Sequence, residues 1–271
     1  MKNFNKIIQT LKLFFIGNLK SYLATKNKKL LKKNQSLLNK YDNERIFILY
    51  SGRSINNYDL SIFKDEYVMA ANLLVLHNKF KELDVDFYCY TGSWEYSLYK
   101  YMSWGLFEIY AGLNSKAKLF LNASSYFWIN NTNYCGILDD RDKFKDNTYF
   151  ISNENFILEG GSNVNCDLPK SLHGVLSRSI GIAIDLGFKE IYLVGADYSK
   201  DPLNVGHFYG STDFITNRTE EENITNNQIK LFAEKRNIKL INIVEQGFSS
   251  PIYKSIGSHQ LNEVLQKSDK I

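Results

Sequence analysis

His207, in the run Asp201-Pro-Leu-Asn-Val-Gly-His-Phe-Tyr-Gly-Ser211, is one of four histidines in the chain, with His77, His173 and His259. An imidazole titrates near neutral pH and suits removal of a proton from a hydroxyl. Glycine-rich, aromatic surroundings predict a loop at a cleft rather than a core position. Tyr209 beside it and Tyr198 upstream carry phenolic O–H groups that can stabilise charge on a departing phosphate without a metal. A structural or surface role is the commoner fate of any single histidine, and the loop position is what sets His207 apart. His77 and His259 lie in helical contexts and read as structural. His173 directly precedes Gly174 at the start of a helical stretch, where a helix N-terminus favours an anion. Asp197 has two readings, orientation of a sugar or catalytic group and satisfaction of a turn, and both stay open.

Metal chemistry finds no foothold in the pattern. No His or Cys pair has i, i+3 or i+4 spacing, and no Asp-x-Asp follows a buried strand. Cys89, Cys135 and Cys166 are odd in number and widely separated, which reads as unpaired thiols in a reducing compartment.

The elements that must position these residues centre on Ser171 to Tyr198. Val175, Ile180, Ile182, Ala183, Ile184 and Leu186 make an apolar helical segment, and Gly187 stands where a left-handed C-cap is wanted. Ile191–Val194 then reads as a fully buried strand, with Gly195-Ala-Asp-Tyr198 at its carboxyl end. In open α/β sheets ligands collect at that end. Arg45–Tyr50 is a first strand leading into Ser51-Gly-Arg-Ser54, a turn in which backbone N–H groups can approach an anion near Gly52 and Ser54. Neither the dinucleotide fingerprint nor the Walker pattern is present.

Tyr67–Ala71, Asp86–Tyr90, Ala117–Leu121, Thr148–Ile151 and Lys239–Asn242, the last of the series, read as further strands. Helical spacing covers Leu73–Leu83, Trp94–Leu113, about Thr225 to Arg236, and a closing amphipathic helix over Ile256–Lys267. Alternation at this rhythm predicts an α/β fold with a doubly wound, mostly parallel sheet in a single Rossmann-like domain. Strand tips at Gly52, Asn72, Gly92 and Gly195 would converge on one crevice. The plainer role for Asn72 alone is an Asx turn. The polar, irregular region 122–170 suits a lid or an acceptor-binding surface.

At 271 residues with 44% hydrophobic and 14% aromatic composition, the chain is globular rather than disordered. Charge divides it in two. Residues 1–40 hold ten lysines and no Asp or Glu, so the formal +4 overlies a slightly acidic remainder. A basic amphipathic helical segment, 1–43, therefore precedes a domain over 44–271. Its longest uncharged run, Leu13–Leu19, falls far short of the roughly 20 residues a bilayer span needs. No small-residue cleavage site marks a signal peptide. Lysines among aliphatic and aromatic residues suit peripheral contact with an anionic membrane surface, the alternative being a helix packed on the domain or a partner. No nucleic-acid reader motif accompanies the charge.

The residues Ile48–Ser54, Ala71-Asn72 and above all Gly174–Tyr198 resemble the bacterial sialyltransferases of glycosyltransferase family 42 and, more loosely, related domains of unknown function found with surface-carbohydrate genes. The resemblance spans about residues 44–245 and is close only over Gly174–Tyr198. It implies a Rossmann-like domain that transfers a sugar from a CMP-sugar, CMP-sialic acid in that family, to a glycan or glycolipid hydroxyl. It further implies inversion, no metal and no cofactor. Carried over by position, Gly52, Arg53, Ser54, Asn72, Gly92, His173, Gly174 and Asp197 would bind the donor, while His207, Tyr198 and Tyr209 would carry the chemistry. The expected setting is lipopolysaccharide or surface-polysaccharide assembly on the inner, cytoplasmic face of the membrane, with self-association left open.

Three departures are evident. Ser51-Gly-Arg-Ser54 replaces the family's Asn-Gly-Pro-Ser, His173 replaces a serine, and Glu220–Asn223 occupies the place of the family's catalytic histidine. Two rival readings follow: a pterin diphosphokinase of related fold that needs Mg²⁺ and ATP, and a non-catalytic nucleotide-sugar-binding scaffold.

Overall fold

The computed structural model describes residues 31–90, 108–109, 111–122, 146–151, 174–201, 206–209 and 220–266. Within them lies one eight-stranded sheet: β1 (Arg45–Leu49), β2 (Tyr67–Ala71), β3 (Phe87–Tyr90), β4 (Lys118–Asn122), β5 (Thr148–Ile151), β6 (Glu190–Val194), β7 (Lys239–Val244) and β8 (Lys254–Gly257). The order is β5-β4-β3-β2-β1-β6-β7-β8, and every pairing is parallel. The chain runs outward from β1 to β5, then returns across β1 to build β6–β8. The order thus reverses between β1 and β6, and at such a switch point the loops leaving neighbouring strands diverge to open a crevice.

The central strands form because their residues are apolar on both faces, as a covered parallel sheet requires. Phe47 and Leu49 join one buried cluster with Phe63, Tyr88 and Tyr192. Ile46, Ile48 and Tyr50 join the other, against α1 (Gly174–Leu186) and α2 (Glu220–Lys235). Burying each such side chain contributes about 1.5–3 kcal/mol before the cost of ordering it. Gly187 caps α1 as its position predicts: φ is +105°, its N–H reaches Ile184 O at 3.0 Å and Phe188 N–H reaches Ala183 O at 3.2 Å.

Two local expectations fail. Leu73–Leu83 is not a continuous helix but two 3₁₀ turns, Leu74–Leu76 and Phe80–Glu82. Between them His77 is extended, with ψ 133°, and its Nδ1 accepts the Lys79 N–H at 3.2 Å. That side-chain bond replaces the helical one. The closing helix is also shorter than its apolar spacing suggests. Residues 254–257 form edge strand β8, beyond the last strand expected, and after a 3₁₀ turn over Ser258–Gln260 only Leu261–Gln266 is α-helical, as α3. The other late helix, α2, begins at Glu220, earlier than expected.

Residues 31–43, part of the basic segment, pack onto the sheet. Leu31, Asn34 and Leu37 are buried. Asn34 Nδ2 donates to Phe150 O at 2.8 Å, and Tyr41 stacks on Phe188 with 5.2 Å between centroids. Asn39 and Tyr41 N–H groups bond the carbonyls of Asp185 and Leu186, satisfying the end of α1. Residues 1–30, which hold most of the lysines, lie outside the described residues. No helix among the described residues is long and apolar enough to cross a membrane.

Candidate active site

The tips of β1 and β6 touch. Gly52 N–H donates to Gly195 O at 3.1 Å, and a Cβ on Gly52 would lie 2.3 Å from that oxygen and 2.6 Å from Asp197 Cγ. Only glycine allows this approach. Behind the contact, Asp197 accepts the Ser54 N–H at 2.8 Å and the Ser54 hydroxyl. Lys200 Nζ bridges Asp197 at 2.7 Å and Glu245 at 2.6 Å, and donates to Ser54 Oγ at 2.9 Å. Tyr58 OH closes the set on Glu245 at 3.1 Å. Asp197 and Lys200 are fully buried, so the network joins three strand ends, β1, β6 and β7, in a dry interior where each charge depends on the others.

The oxygens of Asp197 are engaged by Ser54 and Lys200, which is what the turn reading of Asp197 requires. The same geometry changes what Gly52 and Ser54 do. The backbone N–H groups that an anion would approach are taken by Gly195 O and by the Asp197 carboxylate, so the turn carries its own internal anion.

On the open side of the turn the chain passes through Gly206–Tyr209. His207 forms an antiparallel bridge with Gly52, and Phe208 N–H donates to Ser51 O at 3.1 Å. His207 Nδ1 lies 3.1 Å from Ser51 Oγ and 3.3 Å from Ser51 O. A carbonyl oxygen can only accept, so the second contact places the proton on Nδ1 and leaves the Nε2 lone pair available. Burial lowers the pKa of His207 from its ordinary value, against smaller opposing effects of the Ser51 carbonyl and the Asp197 charge. Burial thus disfavours the charged ring. Tyr209 stacks on it with 5.0 Å between centroids and a 7° interplanar angle, and Tyr198 lies 5.5 Å away at 50°. The fold thus assembles His207, Tyr198 and Tyr209 with Ser51.

Other sequence-selected residues fall around the same edge. Asn72 ends β2 in the left-handed region, φ +52°, with its carbonyl accepting from Tyr88 OH at 2.5 Å. Burial raises the Tyr88 phenol, and Phe208 and Tyr209 pack against the cluster that contains Tyr88. Gly174 is exposed at the start of α1. Arg53 is half-buried, with its guanidinium against Gly206. Gly92 and His173 lie outside the described residues, as does most of the 122–170 region.

No protein-family model matches the sequence, and no curated protein matches it. Solved structures align with it at low identity. The MAf glycosyltransferase from Magnetospirillum magneticum AMB-1 aligns at TM-score 0.49 and 17% identity, over 86% of this chain and 38% of that one. The sialyltransferase CstII from Campylobacter jejuni, in complex with CMP-3FNeuAc, aligns at TM-score 0.43 and 15% identity, over 73% of this chain and 80% of that one. The α-2,3-sialyltransferase Cst-I from Campylobacter jejuni gives 0.42 and 15%, over 74% and 75%. The chain spans well under half of the MAf enzyme's length. These are likenesses of fold.

Lys200 and Ser51 are the residues that sequence reasoning missed. A lysine reads as solvated by default. The one available signal was its i, i+3 spacing from Asp197 directly after a buried strand. Ser51 stood in the quoted turn, but nothing in the sequence pairs it with a histidine 156 positions later. Among the described residues no three His, Cys, Asp or Glu side chains gather as a metal site.

Proposed function

We propose that this chain is an inverting glycosyltransferase that uses a CMP-sugar donor, without a metal, in bacterial surface-glycan assembly. The observation that carries the reading is His207, stitched through Nδ1 to Ser51, with no partner for Nε2 among the described residues and two tyrosines beside it at the β1–β6 switch point. A base so held suits an acceptor hydroxyl. Nε2 takes the hydroxyl proton as the acceptor oxygen bonds to the anomeric carbon. The bond from that carbon to the phosphate oxygen breaks, and its electron pair leaves on CMP. Tyr198 and Tyr209 donate hydrogen bonds to the developing phosphate charge. The choice of CMP over other nucleotides rests on the family resemblance of the Gly174–Tyr198 pattern, and peripheral attachment at the inner membrane face on the lysines of residues 1–40.

The test is donor turnover by the full-length chain in EDTA, with CMP-, UDP- and GDP-sugars supplied beside a mixture of glycan acceptors. Release of nucleotide from a CMP-sugar alone is the expected result. Turnover only with Mg²⁺ and ATP on a pterin would replace the reading with the diphosphokinase. Tight CMP binding with no donor consumed would leave a scaffold.

A further inference from the structure

Phosphate groups in this class of fold ordinarily rest on the backbone N–H groups of the turn after the first strand. Here three of those donors are occupied: Gly52 N–H by Gly195 O at 3.1 Å, Ile55 N–H by Gly52 O at 3.1 Å, and Ser54 N–H by Asp197 at 2.8 Å. An incoming phosphate would meet the buried Asp197 carboxylate behind the turn rather than open amides. The anion must be held by something else.

We infer that Arg53 holds the donor's phosphate and that Gly206 seats the Arg53 guanidinium for the task. Arg53 projects from the same turn and is half-buried. Among the described residues it has no hydrogen bond or ion pair, although a guanidinium offers five donors. Its position is nevertheless defined. A Cβ built on Gly206 would meet Arg53 Nε at 2.8 Å, Cζ at 3.2 Å and Nη2 at 3.3 Å. The guanidinium therefore lies against the residue that directly precedes His207. Gly206 itself has φ +108°, a conformation open to glycine. A planar fork set near the base matches the two non-bridging oxygens of the donor's phosphodiester. The glycine lets the fork lie against the residue next to the base.

The inference rests on the proposed nucleotide-sugar reading, and the experiment separates the two. Full-length wild type, Arg53→Ala, Arg53→Lys and Gly206→Ala would be titrated calorimetrically with CMP, UMP, GMP, cytidine, and a CMP-sugar carrying a carboxylate. Circular dichroism and melting would establish that each variant is folded. Arg53→Ala should lose roughly 10- to 100-fold in affinity for CMP, the scale of a lost charged hydrogen bond, while cytidine binds as before. Arg53→Lys should recover part of the loss, since one ammonium replaces the fork. Gly206→Ala should fall between wild type and Arg53→Ala, because the added methyl displaces the guanidinium. CMP binding unchanged in Arg53→Ala would overturn the inference and leave the function standing. So would a loss confined to the CMP-sugar, which would assign Arg53 to the sugar carboxylate. A wild type that binds no nucleotide would overturn both.

Discussion

Replacing His207 with Asn should lower kcat for sugar transfer by about 10²- to 10⁴-fold, the range expected when a positioned base is removed. Nucleotide affinity should stay within a few-fold. Asparagine is the informative substitution because its amide can still donate to Ser51 O, preserving the stitch between loop and turn, while nothing replaces Nε2. The pH profile adds an independent reading. Only neutral imidazole accepts the proton, so kcat/KM should rise with pH through a single ionisation. Burial lowers that ionisation below the ordinary histidine value of about 6.5. Activity should therefore hold as pH falls to about 6.5 and decline below it, and the limb should vanish in His207→Asn. Stability follows the same sign. A histidine with a depressed folded pKa contributes fully above the unfolded value and loses that contribution as pH falls towards and through the folded one. His77, lowered chiefly by burial as well, acts in the same direction. Acid melting should thus steepen below about pH 6.5. A kcat unchanged in His207→Asn would remove the base assignment.

The second large effect concerns Lys200. Lys200→Met should destabilise the fold by about 3–5 kcal/mol, because it strands Asp197, fully buried, without its cation. The Glu245 partner of the same ammonium is partly exposed and suffers less. Combining Lys200→Met with Asp197→Asn and Glu245→Gln should recover much of the loss. Neutralising a whole buried set is far less costly than breaking it. The amide oxygen that Asp197→Asn introduces can still accept the Ser54 N–H that holds the turn. Urea denaturation of the single and triple variants measures both quantities. If Lys200→Met melts like wild type, the network is not what joins the three strand ends.

Much of the fold was legible because buried parallel strands announce themselves. Ile46–Leu49, Val68–Ala71 and Ile191–Val194 are unbroken apolar runs, the pattern of strands covered on both faces. β8 is different. Lys-Ser-Ile-Gly supplies one large apolar residue, and its burial is only partial, as an edge strand permits. Composition therefore hid it, and the spacing of Leu261, Val264 and Leu265 drew the helix too far forward. The Leu73–Leu83 stretch has helical spacing, but the bond from Lys79 N–H to the His77 ring is a local competitor that periodicity does not see.

The site divides along the same line. Gly52, Tyr198, His207 and Tyr209 were visible as residue types in loops after strands. Their convergence required the sheet order, because β1 and β6 are neighbours only after four strands have been laid on the far side. The internal use of the turn's N–H groups was not visible at all. It depends on a carboxylate 143 positions away from Ser54, and on a lysine that lies inside rather than in solvent.

The most direct test of the account is a crystal structure of the full-length chain with a non-hydrolysable CMP-sugar. The account predicts the nucleotide across the carboxyl ends of β1 and β6, its phosphate on Arg53 and its anomeric carbon on the Nε2 side of His207. Elsewhere on the chain, a groove of about 340 Å³ lies between α2 and the β7–β8 connection, lined by Ala233, Ile238, Ser250 and Tyr253. A nucleotide bound there, or at the amino ends of the strands, with the β1–β6 crevice left empty, would contradict the account.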